Sequence, residues 1–421
     1  MKADIEQQPL GDISTNTGGP SRSSSTFARI IRLAVLILGV IVFSSLSFFV
    51  LNIQTRLEVR SPQESDSKGL KFKNCDNLFK IKGHYVSSHG LMYSANYIFV
   101  EDVFASERAM QGYGFLRMLK NMLKRYVLMP NCIIQNGNQI ATIYVQSGLI
   151  STFARYSHSI PFDYTLMSGN DDHTVPQDLS KFAFDYVLSS PHLIKWYAQN
   201  LGIPERERNR EGSGNNHKIQ PIPIGLDYHT LANSPEKVPH WGPKASEMEQ
   251  EIELNRILKE ARPLKDRQIK IYSTFHLNYL PDDVKFFTDR EEAYRDLQSD
   301  LVDHEESKVR RAETWKKQAE YSFVASPHGR GLDCHRTWEA LMLGCIPVVK
   351  SSSLDSLYAG LPVLIVDKWK DVTLELLRAT HANITADLDV SAYQQIQRLR
   401  TLHLSHWLKA IAAPLPASLT T

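Results

Sequence analysis

Charge of one sign is what this sequence most clearly lacks. The formal net charge is +2 and charged residues make up 22% of the chain. No basic field exists to hold a polyanion, which excludes nucleic acid as a main partner. Cysteine is scarce too, and four in 421 residues cannot staple a disulfide scaffold. Cys334 and Cys345 read as small buried thiols, while Cys75 and Cys132 can pair only if the fold brings them together in an oxidising compartment. No His/Cys cluster has zinc-ligand spacing, and nothing repeats at solenoid periods. With 421 residues there is room for two domains and appendages.

What is present concentrates in residues 321–349. Residues 321–325 are aromatic and β-branched, the composition of a buried strand. Gly329 and Gly331 then open a loop whose backbone can approach a ligand closely. Asp333 is the expected N-cap of a helix over 334–343, Gly344 its C′ terminator, and 346–349 a returning strand. This strand–loop–helix–strand order puts the glycines at a strand's carboxyl end, where open α/β sheets bind ligands and a helix N-terminus favours an anion. Arg336 and Glu339 lie three apart in the first turns of that helix, on one face. An Arg there can clamp phosphate oxygens and a Glu can accept from ribose hydroxyls, or the two can form a surface ion pair.

Residues 329–349, G-R-G-L-D-C-H-R-T-W-E-A-L-M-L-G-C-I-P-V-V, resemble the donor-binding motif of exostosin-like glycosyltransferases. That pattern runs Gly-x-Gly-Leu-Asp-x-x-Arg-x-Trp-Glu-Ala-Leu and then Gly-Cys-Ile-Pro-Val-Val. The resemblance implies an α/β protein of GT-B type, in which two Rossmann-like domains face across a cleft and the C-terminal one holds a nucleotide sugar. It further implies that Arg336 faces the diphosphate and Glu339 the ribose; His328 and Arg330 fall at variable positions. GT-B enzymes neutralise the diphosphate with helix dipoles and basic side chains. The metal-binding Asp-x-Asp of the other major transferase fold occurs here only as Asp387-Leu388-Asp389, in a polar tail. No obligatory metal or other cofactor is expected beyond the nucleotide sugar as co-substrate.

On this frame the expected organisation is a tail over 1–29, a membrane anchor over 30–53 and a stem over 54–70. An N-terminal acceptor-side domain follows over 71–237, a connection over 238–265, the nucleotide-sugar domain over 266–380, and a C-terminal helix and tail over 381–421. Residues 140–145 and 162–167 read as strands, 148–157 as a short helix, and 182–200 as helix-sized. Residues 222–229, punctuated by Pro223 and Gly225, read as the last strand of the first domain and the turn into the hinge. In the second domain 269–273 is strand-like, 290–301 and 312–319 helical, and 391–408 one more helix.

An alcohol acceptor needs a base as the sugar carbon is attacked. Asp172 and His173, in the Asx-rich segment after the strand at 162–167, are the first candidates, although such loops often only satisfy turn geometry. His84 and His89 are the rivals. Ser273 and Thr274, at a strand end facing the same pocket, are candidate donor contacts, and Arg290 a second phosphate contact.

Residues 33–53 form an apolar run without charge, long enough to cross a bilayer. A cleaved signal has a core of only ~7–15 residues and a small-x-small site after it; Gln54-Thr55-Arg56-Leu57 follows here. Flanking positive charges are nearly balanced, with Arg29 and Arg32 closest to the run. A single-pass type II protein of the Golgi or ER membrane is therefore expected, its body lumenal, where the sequon Asn383-Ile384-Thr385 would also lie. The expected activity is inverting transfer of a hexose or pentose from a nucleotide sugar to a glycan or glycoprotein. Its partners are donor, acceptor and membrane, and a homo- or hetero-oligomer is open. The alternatives are a fucosyltransferase-like GT-B enzyme, or a non-catalytic GT-B-like protein that binds glycan or scaffolds a true transferase.

Overall fold

The computed structural model describes residues 83–95, 97–99, 140–160, 162–233, 235–277, 288–386 and 391–412. The chain divides into Met1–Gly69 and Leu70–Thr421, and every described residue belongs to the second unit. The apolar run 33–53, Cys75, Cys132 and Asp387-Leu388-Asp389 lie outside the described residues. Among those described, no helix is long and apolar enough to cross a membrane.

Among the described residues two five-stranded sheets carry this unit, and every strand pair in them is parallel. Helix α1 (Ser88–Ser94) leads in, its first turn held by Ser87 Oγ, which accepts from Gly90 N at 3.0 Å. The first sheet runs in chain order through β1 (Tyr97–Phe99), β2 (Ala141–Gln146), β3 (Tyr164–Gly169), β4 (Leu193–Ala198) and β5 (Ile219–Pro221). Helices α2 (Ile150–Ser157) and α3 (Lys181–Leu188) make the crossovers on either side of β3. Every residue of β3 is buried, as parallel strands covered on both faces are.

Helix α4 (Glu247–Glu260) connects the halves and starts with a capping box. Ser246 Oγ accepts from Glu249 N, and Glu249 Oε2 accepts from Ser246 N at 2.7 Å. The second half holds β6 (Gln268–Ser273), α5 (Thr288–Asp296), β7 (Val302–His304), α6 (Arg311–Gln318), β8 (Tyr321–Ala325), α7 (His335–Met342), β9 (Ile346–Lys350), β10 (Leu364–Val366) and α8 (Leu374–Thr385). Its strands lie in the order β10-β9-β8-β6-β7. The chain steps from β6 out to β7, crosses back to β8 and winds outward on the other side. The crevice at the carboxyl ends of β6 and β8 is therefore the topological switch point, where doubly wound sheets take their ligands.

Helices α9 (Ala392–Arg398) and α10 (Leu404–Ala412) return to the first half. Val86 N donates to Leu402 O and Leu404 N to His84 O, both at 2.9 Å, and Tyr197 Oη donates to Ala410 O at 3.0 Å. One apolar core runs from the first sheet through Trp315 and Trp338 to Ile396 and Ile411. A second, built on Ile271, Phe323, Val348 and Trp369, lies in the second half.

Three expectations change. The helix-sized segment 182–200 is a short helix followed by an interior strand, because Ser180 caps α3 and L-I-K-W-Y-A pairs between β3 and β5. The last strand of the first half is Ile219–Pro221, not 222–229, since Pro221 and Pro223 cannot donate to a ladder. The single helix over 391–408 breaks at Leu399, whose ψ is 85°, and the chain spends its hydrogen bonds on His84 and Val86 instead.

Candidate functional site

Beyond β8 the chain turns sharply, and polar contacts hold the turn. His328 N donates to Asp289 Oδ2 at 2.8 Å, and Gly329 N to Gly331 O at 3.1 Å. Close approach is tight at both glycines; the neighbour of Gly331 is an amide held by hydrogen bonds through both of its polar atoms, whereas that of Gly329 is the movable end of Arg290. A Cβ on Gly329 would stand 2.8 Å from Arg290 Nη2, and one on Gly331 2.7 Å from both amide atoms of Asn200. Asn200, at the end of β4 with φ +52°, accepts from Asp333 N at 2.8 Å and donates to Asp171 O at 3.3 Å. The glycine loop is thus tied directly to the first half.

Asp333 is not the cap expected of it. Cys334 occupies the N-cap position of α7 without a side-chain cap bond. The Asp333 carboxylate instead accepts from Ile224 N (2.8 Å), Cys334 N (2.9 Å) and Trp338 Nε1 (2.9 Å). It joins the first half to the interior of α7, and burial pushes its pKa up to about 6.

A cleft of about 360 Å³ opens at the switch point. From the second half it is lined by Thr274, His276, Arg290, Gly329, Arg330, Cys334, His335, Arg336 and Glu339, and from the first half by Asp172, Ile224 and Asp227. Arg336 lines the cleft from the first turn of α7. Its Nη1 is shut off from water and has no hydrogen-bond partner among the described residues. Burial and the neighbouring Arg290 bring its pKa down to about 10, and its guanidinium carbon sits 5.9 Å from the Phe275 ring centroid. Arg290 donates to the carbonyls of His328 (3.3 Å) and His276 (3.2 Å). Burial lowers the His276 pKa, and Arg336 and Arg290 lower it further, so this end of the cleft is electropositive.

The opposite end is built round Arg311, which lies 4.6 Å from the Trp241 ring centroid and 4.9 Å from that of Trp315. Arg311 Nη2 donates to Glu339 Oε1, and Trp315 Nε1 donates to Glu339 Oε2 at 3.1 Å. Glu339 faces the cleft with both carboxylate oxygens already engaged. Nearby, burial opposes the charge on Asp227, yet His335, His229 and Arg311 hold its carboxyl well below the usual range. Burial lowers the His229 pKa to about 4.

The sequence candidates separate in space. Gly329, Gly331, Arg336 and Glu339 sit together in one loop and helix, and Thr274 lines the same cleft. Ser273 does not; its buried hydroxyl pairs with His304 Nδ1 at 2.9 Å. Asp172 lines the cleft, half exposed, with Oδ2 3.9 Å from Arg330 Nη1. His173 sits 3.2 Å from Asp171 Oδ1, and Asp171 also accepts from Gly148 N at 2.6 Å. His84 and His89 are engaged by α4, at 2.7 Å from Glu251 and 3.4 Å from Glu247. Sequence reasoning missed Asn200, Asp227, Arg311 and His335. The first two follow β4 and β5, and applying the strand-end rule to every strand would have found them. Arg311, in the first turn of α6, carried no such signal.

No protein-family model matches the chain, and no curated protein matches it. Among solved structures it is similar to a UDP-forming α,α-trehalose-phosphate synthase from Burkholderia vietnamiensis, with 12% identity over 70% of this chain and 74% of that one, at a TM-score of 0.32. An α,α-trehalose 6-phosphate synthase from Burkholderia multivorans gives 12% identity, 77% and 80% coverage and a TM-score of 0.31. The catalytic domain of starch synthase IV from Arabidopsis thaliana, bound to ADP and acarbose, gives 8%, 74% and 79%, and 0.30. With superposition this slight, what the site does is read from this chain's own residues.

Proposed function

We propose that the chain is a nucleotide-sugar glycosyltransferase of GT-B type, akin to the exostosin-like enzymes its glycine-loop motif resembles. The observation that carries this reading is Arg336: a guanidinium with an enclosed N–H that has no partner among the described residues, beside Arg290, at the carboxyl ends of β6 and β8. Such a pair of cations suits a diphosphate, whose charge grows as it leaves. Glu339 takes the ribose, with Arg311 and Trp315 orienting its carboxylate, and Gly329, Gly331 and Thr274 complete the donor pocket. The acceptor, a glycan or glycoprotein, enters from the first half, where Asp172 serves as base with His173 as its alternate. Residues 30–53 anchor the enzyme in the Golgi or ER membrane with its body in the lumen.

The test is calorimetric titration of the full chain in detergent with UDP and GDP, followed by a screen of labelled nucleotide sugars for hydrolysis and transfer. Binding of one nucleoside diphosphate, weakened at least tenfold by Arg336→Ala, is expected. Failure of both nucleotides to bind would overturn the reading.

A further inference from the structure

We propose that Asp227, His229 and His335 form a binding site for a borderline divalent metal ion of the zinc class, opening into the cleft. This goes beyond the donor reading and does not depend on it. One ligand atom from each residue lies within 4.8 Å of the other two. Two imidazoles and one carboxylate are the donor set that zinc takes when it keeps a coordination position open. Asp227 and His335 line the cleft, so the open position faces the space where a ligand would sit.

The surroundings hold these three groups as ligands are held. His335 Nδ1 donates to Gly225 O at 2.7 Å, which fixes the ring and leaves the Nε2 lone pair available; a backbone carbonyl in this role is the usual partner of a metal-bound imidazole. That carbonyl is itself locked. Gly225 has φ +69°, and a Cβ there would collide with the Val86 carbonyl. Asp227 is fixed through both oxygens, Oδ1 accepting from Thr230 N at 3.0 Å and Oδ2 from Thr230 Oγ1 at 2.8 Å. His229 Nδ1 stands 3.1 Å from Asp227 Oδ1, the spacing of two ligands each about 2 Å from one ion. Arg311 Nη1 approaches Oδ2 at 3.8 Å, on the Thr230 hydroxyl side, which leaves Oδ1 to the metal.

Zinc alone is the probe. Full-length protein, stripped with a chelator and dialysed, is titrated with Zn²⁺ against a chromophoric competitor. One equivalent should bind, and His335→Ala or His229→Ala should weaken binding by a hundredfold or more. Thr230→Val should weaken it by about tenfold to a hundredfold, as loss of a ligand's supporting hydrogen bond does. Cys334→Ser should leave the affinity for Zn²⁺ unchanged, because no thiol belongs to the ligand set. Because ligand variants can misfold, Co²⁺ substitution in the unmutated protein gives a second readout: d–d bands of nitrogen and oxygen ligation without a thiolate charge-transfer band. Absence of stoichiometric binding would show instead an ion-paired cluster without a metal, while a thiolate band, or full affinity in the His229→Ala/His335→Ala double variant, would place the ion on other ligands and equally overturn the site.

Discussion

Replacing Arg336 by Met should stabilise the protein while weakening its hold on a nucleotide. The residue as a whole is only partly buried, but its Nη1 is enclosed and has no partner among the described residues. Burial and Arg290 bring its pKa down to about 10, from an ordinary value above about 12. At about 1.4 kcal/mol per tenfold, keeping the charge there costs about 3 kcal/mol. The contact with the Phe275 ring returns about 0.5–2 kcal/mol of this. Methionine keeps the aliphatic stem without the charge, so a net gain of about 1–2 kcal/mol is expected, or a rise in Tm of about 1–3 °C for a unit of this length. The same change removes charge-assisted hydrogen bonds worth about 1.5–3 kcal/mol to a bound diphosphate. UDP or GDP affinity should therefore fall by about tenfold to a hundredfold. Calorimetry supplies Tm and titration the affinity. A lower Tm with unchanged nucleotide affinity would falsify the assignment of Arg336 as a cation held ready for an anion.

Asp333→Ala strands three buried donors, Ile224 N, Cys334 N and Trp338 Nε1; at about 1–3 kcal/mol each, urea unfolding should show a loss of at least about 3 kcal/mol. Gly331→Ala drives a Cβ into the Asn200 amide and should cost about 1–3 kcal/mol by breaking its bonds to Asp333 and Asp171; an unshifted urea midpoint would show that the amide gives way freely. Burial raises the Asp171 pKa, with Gly148 N–H and His173 opposing, so its neutral form is favoured in the fold. The stability it contributes is full below about pH 3.9, its unfolded value, and is lost as pH rises through the higher folded value. Asp171→Asn should remove that fall, making the variant progressively more stable than the parent from about pH 4 towards 7; parallel urea midpoints over that range would refute this.

Legibility in the sequence followed how local each interaction is. The β8–loop–α7–β9 unit was readable because its strand composition, glycines and Arg336–Glu339 spacing all lie within a few dozen residues, and each element formed within a residue or two of its expected bounds. Asp333 was misread for the same reason. The N-cap rule sees only its own helix, whereas the carboxylate is claimed by Ile224 N from the other half and by Trp338. Strand β4 was hidden because L-I-K-W-Y-A follows a helix with a short link and carries mixed periodicity; only pairing to β3 and β5 makes it a strand. Ser273 and Thr274 are adjacent at the end of β6, and side-chain alternation sends one to His304 and leaves the other lining the cleft.

By itself, then, the sequence determined an α/β chain with a glycine loop, a cation and a carboxylate on the helix after it, because backbone propensity and side-chain periodicity act over short separations. Tertiary structure alone decided who surrounds them. Arg311 comes to Glu339 from 28 residues away, and Asn200 reaches Asp333 across 133. His335 meets Gly225 across 110, bringing an imidazole to Asp227 and His229 where no ligand spacing marks the chain. Such contacts depend on the order in which strands are laid into the sheets, and strand order is fixed by burial summed over the whole fold, which no single segment encodes.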